Sequence, residues 1–202
     1  KSSKNTVEKF MQQDIVVNDR FKNFEIVDFE YQKGGHARFD LMGINQQENI
    51  LSFIELKQGS TSLNSGYKKE NPKGKLKSGL FKHYLDIVGE IGGQDDLVEE
   101  VCNIEQLTRE KHGIGMKAKR PVSGINREAF EIVFILANYN KNSSYLKREL
   151  NEIFNNKKVE KLKLKPVVKL IFCEYEVGKN PFTLVYKGDE PVIDAKLYLN
   201  DQ

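Results

Sequence analysis

The segment ARFDLMGINQQENILSFIELKQG, Ala37 to Gly59, reads as two strands around a polar centre. His36 to Ile44 and Ile50 to Lys57 are the strand candidates, and Asn45 to Asn49 joins them. On the second strand Glu55 and Lys57 are two apart and share a face. Ile54 and Leu56 point the other way, into a core. A turn centred between Gln47 and Glu48 pairs Asn45 with Ile50. On that register Asp40 lies opposite Glu55, and Arg38 lies opposite Lys57. Opposed residues have Cβ atoms about 5 Å apart, so two carboxylates there repel unless something neutralises them. A divalent cation would do so. Hard cations such as Mg²⁺ take carboxylate oxygens, backbone carbonyls and water, and the Leu56 carbonyl lies between the two functional residues. Lys57 would stand beside the metal, where an ammonium orients water or stabilises charge on a reacting phosphate. The plainer alternative is a cross-strand salt-bridge cluster on a solvated sheet face.

Outward from this hairpin, Thr6 to Ile15 reads as a helix, with Val7, Phe10, Met11 and Ile15 on one face. Asn5 and Glu8 resemble a capping box. Phe24 to Tyr31 alternates as a strand, and Gly34-Gly35 turns the chain. Ser78 stands where it could cap a helix from Gly79 to Ile91, stopped by Gly92-Gly93. A second amphipathic helix fits Asp95 to Glu110. Phe130 to Ala137 is the most apolar strand. Ser143 or Ser144 begins a helix to Phe154. Strands at Val167 to Tyr175, Phe182 to Tyr186 and Val192 to Leu199 follow. This order predicts an α/β fold, a mixed central sheet flanked by helices.

The chain has 202 residues with 32 Lys and Arg against 29 Asp and Glu. That length suits one domain and a core that needs no disulfide or metal staple. The longest apolar run, Ile132 to Ala137, is far too short for a membrane helix. Cys102 and Cys173 make no disulfide framework, so a reduced, cytoplasmic setting is expected. The chain begins at Lys1 rather than Met, which leaves open that it is part of a longer protein or complex. His36, His83 and His112 have no zinc-ligand spacing, and no P-loop or dinucleotide glycine pattern exists.

The net charge of +3 hides segregation. Lys68 to Lys77 carries +4, while Arg109 to Arg127 and Lys157 to Lys169 carry +5 each. These +14 charges leave −11 for the rest of the chain. Basic runs of this kind suit a phosphate backbone, or are simply solvated connections. Substrate contact is favoured for the first run, which holds Lys68 and Lys69 and leaves the second hairpin strand directly. Lys119 and Arg120 are the candidates in the second run. Arg38 is a further cation near the hairpin site.

The hairpin resembles the PD-(D/E)XK nuclease superfamily, the restriction-endonuclease-like fold. Its signature is an Asp on one strand and Glu-x-Lys on the next, and RFDLMG followed by FIELKQG is similar in particular to the RecB-like and NucS-like branches. The match covers about the first 90 residues, and Phe39 replaces the family's Pro. The resemblance implies that Asp40 and Glu55 ligate Mg²⁺ (Mn²⁺ substituting) with the Leu56 carbonyl. It implies that Lys57 positions or activates the attacking water. Many members add an acidic residue from the first helix, for which Glu8 is the candidate beside its capping-box reading. Many RecB-like members place a Gln on the helix after the Lys. Here Lys82 and His83 stand instead, as phosphate contacts or as a solvated polar face.

The implied whole is one nuclease domain over 1–202. It has a core motif at 6–91, a helical and basic-loop insertion at about 93–128, and the remaining strands and helix at 129–202. The implied activity is Mg²⁺-dependent hydrolysis of DNA phosphodiester bonds, as an endonuclease in restriction, phage defence or repair. RNA stays open as a substrate, and many members act as homodimers. The rival is a nuclease-like fold that binds nucleic acid without cutting it.

Overall fold

A computed structural model describes residues 2–30, 39–66, 76, 78–114, 122–179 and 183–201, with side chains from Thr6 onward. The elements run α1 (Ser2–Val17), β1 (Phe24–Phe29), β2 (Leu41–Asn45), β3 (Ile50–Gln58), α2 (Leu80–Glu90), α3 (Gln94–Gly113) and β4 (Phe130–Ala137). They continue with α4 (Tyr145–Asn155), α5 (Lys157–Glu160), β5 (Val167–Val177), β6 (Leu184–Asp189), β7 (Ile193–Asp194) and α6 (Ala195–Asn200). The result is a mixed α/β fold.

Among the described residues the sheet runs β1-β2-β3-β4-β5-β6, with β7 pairing β5. β1, β2 and β3 form an antiparallel meander, whereas β3, β4 and β5 are parallel. β3 is therefore the junction between the two halves. Its Ile50 to Lys57 are all buried, as expected for a strand covered on both faces.

The alternation of these strands divides the core. Leu41, Ile54, Leu56, Val133, Ile135 and Ile171 meet Val7, Met11 and Ile15 of α1 on one face. Met42, Leu51, Phe53, Ile132, Phe134 and Leu170 meet α2, α3 and α4 on the other. Phe53 stacks edge-on to both Phe39 and Phe130, at ring separations of 5.2 and 5.7 Å.

The hairpin keeps the predicted register, with Asn45 opposite Ile50. Asn45 fixes it locally: its side-chain oxygen accepts from the Gln47 and Glu48 amides at 3.0 and 3.2 Å. Its amide nitrogen donates to buried Glu131, which also accepts from Ser52 at 2.6 Å. The ladder stops at Leu41 opposite Ile54. Asp40 sits at a bend just outside it. Among the described residues, Glu55 to Gln58 pair with β4 on one side and with no strand on the other. The sheet is notched there.

Four sequence expectations need correction. Asn5 is no cap, because α1 already starts at Ser2 and takes Asn5 into its ladder. Ser78 does not cap α2 either. The helix begins after Gly79, and its first amides are met by Glu149, which accepts from Phe81, and by the Ser65 hydroxyl, which accepts from Lys82. The expected strand Val192 to Leu199 is strand for two residues only. Asp194 then accepts from the Lys196 and Leu197 amides and starts α6, so a capping side chain overrides the alternation. The strand expected to open at His36 begins at Leu41; 31–38, including the Gly34-Gly35 turn, lie outside the described residues.

Candidate active site

The notch brings Asp40, Glu55 and Lys57 together. Asp40 bends away from the ladder, and its Oδ2 accepts the Leu56 amide at 2.8 Å, in the place a β2 carbonyl would have taken. The Asp40 carbonyl in turn accepts from the Glu30 amide at 2.8 Å, which fixes the bend. The N–H and C=O of one strand residue leave the same edge, so the Leu56 carbonyl also faces the notch.

Glu55 is 1% exposed and Lys57 is 6% exposed, so this is no solvated salt-bridge cluster. Lys57 Nζ lies 3.2 Å from Glu55 Oε2. His83 of α2 places Nδ1 3.2 Å from the same oxygen. A carboxylate only accepts, so Nδ1 carries the proton, and His83 Nε2 turns outward to Ser78 Oγ at 2.7 Å. The other Glu55 oxygen, Oε1, is buried with no hydrogen-bond partner among the described residues.

The charges explain the titration. Burial raises the Asp40 carboxyl, neighbouring Glu55 raises it further, and together they hold it at about 8 against the pull of Lys57 and the Leu56 amide. Burial works the same way on Glu55, but Lys57 and His83 outweigh it and hold Glu55 well below the carboxylate range. Burial alone would lower Lys57; Glu55, Asp40 and Glu8 raise it instead. Glu8 of α1 is raised by burial, then lowered by Lys57, raised by Glu55 and lowered by His83. Glu8 therefore feels this cluster, not a helix cap.

Lys82 turns away to pair with Asp86 one turn along α2, and the structure does not bring it into the notch. Arg38, Lys68, Lys69, Lys119 and Arg120 lie outside the described residues. His83 is brought in, on Glu55 and not on open surface. Sequence reasoning missed that contact, since a polar helix face carries no mark of which strand it meets. It also missed buried Gln12, which lies one turn beyond Glu8 on α1.

The donors are hard: the buried Glu55 carboxylate with one oxygen unpartnered among the described residues, the half-buried Asp40 carboxylate, Glu8 nearby and a backbone carbonyl. They fit an oxygen-seeking divalent cation. Among the described residues no three His, Cys, Asp or Glu side chains stand close enough to form a ready-made metal cage. No described helix is long and apolar enough to cross a membrane.

No family model matches the chain, and no curated protein matches it. Among solved structures it is similar to SfsA of Pyrococcus furiosus in complex with Ca²⁺. The identity is 12% and the TM-score 0.30, over 90% of this chain and 60% of that one. The chain thus spans about 60% of the length of that protein.

Proposed function

We propose that the chain is a Mg²⁺-dependent nuclease of the restriction-endonuclease-like, PD-(D/E)XK type, hydrolysing DNA phosphodiester bonds. One observation carries this reading: Asp40 and Glu55 bracket the Leu56 backbone at a notch in the sheet, with Lys57 held on the Glu55 carboxylate. Asp40, Glu55 and the Leu56 carbonyl would hold the cation, and Glu8 would face it from α1. The cation would supply Lewis-acid polarisation of the scissile phosphate and a bound water of lowered pKa. Lys57 would orient the attacking water and offset charge on the phosphate oxygens. His83 and Lys57 hold the buried Glu55 carboxylate charged and oriented. No covalent intermediate is needed.

The test is cleavage of plasmid or oligonucleotide DNA with Mg²⁺ by wild type, Glu55→Ala and Lys57→Ala. Loss of cleavage in both variants is expected. Equal activity in all three ends the reading. The second reading, a binding module without cleavage, is favoured by one fact: Glu55 Oε2 is already engaged by the Lys57 ammonium and by the His83 ring. It predicts no Mn²⁺ heat that disappears in Asp40→Ala.

A further inference from the structure

Gln12 is a polar side chain with no evident structural task. It is 3% exposed, and its Oε1 has no hydrogen-bond partner among the described residues. A buried amide oxygen left unpaired is destabilising, and an apolar side chain of the same length would fill the place without that cost.

The helix wheel shows which way it faces. Val7, Met11 and Ile15 form the ridge of α1 that enters the core. On one flank Asp14 accepts from the Tyr175 hydroxyl of β5 at 3.1 Å. On the opposite flank Lys9 pairs with Glu30 at 3.3 Å, and the Glu30 amide is the one bonded to the Asp40 carbonyl. Glu8 and Gln12 are one turn apart, on the strip between the ridge and the Lys9 flank. Glu8 on that strip feels Lys57, Glu55 and His83. Gln12 thus stands on the side of α1 that faces the notch.

We propose that Gln12 is a water-positioning residue of the cation site. Its carboxamide oxygen would accept from water in the hydration shell of a divalent cation held by Asp40 and Glu55. The inference rests on the cation reading above and adds a residue to it. Mg²⁺ keeps several of its waters, and those facing α1 need acceptors. A carboxamide supplies one without adding a negative charge beside Glu8, Asp40 and Glu55.

The experiment uses the full chain, with Mn²⁺ titrated calorimetrically and metal-free thermal unfolding measured in parallel. In Gln12→Met the metal-free melting temperature should rise by about 2–4 °C. Mn²⁺ binding should weaken by about tenfold, the lower end for loss of an outer-shell partner. Mn²⁺ affinity is the deciding readout: a value within about twofold of wild type overturns the proposal, whatever the melting temperature does. Gln12→Glu keeps the acceptor oxygen, so it should bind Mn²⁺ at least as well as wild type while melting lower. Weaker Mn²⁺ binding in Gln12→Glu also overturns the proposal. Absence of Mn²⁺ heat in wild type, by contrast, removes the cation reading itself.

Discussion

Lys57 Nζ and Glu55 Oε2 lie 3.2 Å apart on one strand, with side chains 8% and 1% exposed. Both charges are desolvated, so each depends on the other. Lys57→Met should leave the Glu55 carboxylate with His83 alone and destabilise the fold by about 3 kcal/mol, the range for breaking a buried pair. Adding Glu55→Gln should restore most of that loss. Urea unfolding measures both. If single and double variants unfold at the same urea concentration, the pair is not what holds Glu55.

Asp40 makes the stability depend on pH. Its folded carboxyl, at about 8, sits above the ordinary value of 3.8. The folded state therefore binds more protons, and the metal-free protein loses stability as pH rises from about 4 to about 8. Asp40→Asn keeps an acceptor for the Leu56 amide and removes the titration. Without metal, the variant should melt above wild type, by a gap that widens from pH 4 to 8 and then levels off. A gap independent of pH would refute the assignment.

Asp14 behaves in the reverse sense. Burial would raise its carboxyl, but hydrogen bonds from Arg20, Asn18 and Tyr175 outweigh burial and lower it. Arg20 reaches both oxygens, at 2.9 and 3.0 Å, and lies over the Tyr186 ring. A lowered carboxyl contributes stability that is present above the unfolded value and lost as pH falls through the folded one. Asp14→Asn should cost about 1 kcal/mol at neutral pH, the worth of charge-assisted hydrogen bonds near a surface. The difference should shrink as pH falls below the ordinary value of 3.8 and through the lowered folded one. Denaturant midpoints across this range test it.

Gly79 sits where a Cβ would collide with the backbone of Asn64 and Ser65. The same approach is clasped by fully buried Glu149, which accepts from the Ser65 amide and hydroxyl at 2.9 and 2.6 Å and from the Phe81 amide at 3.0 Å. This clasp sets the start of α2, and so the place of His83. Gly79→Ala should destabilise by about 1–3 kcal/mol, as overpacking does. It should also loosen His83 from Glu55, visible as a change in the His83 ring resonances. An unchanged His83 spectrum would uncouple the clasp from the site.

Much of this was legible without coordinates. The turn at Asn45 to Asn49, between the strand run of Ile50 to Lys57 and the one before it, specifies the hairpin register, because strand faces and turns are local properties. β4 is legible for the same reason: Phe130 to Ala137 is apolar throughout, as a strand buried on both faces must be. Local patterns also misled. Ser78 looks like a cap but serves His83, and Asp194 interrupts what alternation alone would call a strand.

The sequence by itself determined the strand pairing that puts Asp40, Glu55 and Lys57 at one place, since each relation spans few residues and follows from backbone geometry. Only the tertiary structure decided that β2 stops short of Asp40, that α2 delivers His83 to Glu55, and that α1 delivers Glu8 to the same charges. It alone also buried Gln12 on that side of α1 without a partner among the described residues. Those relations join elements distant in the chain. They depend on how helices pack over a sheet, and no spacing within one segment records which side chains such packing will bring into contact.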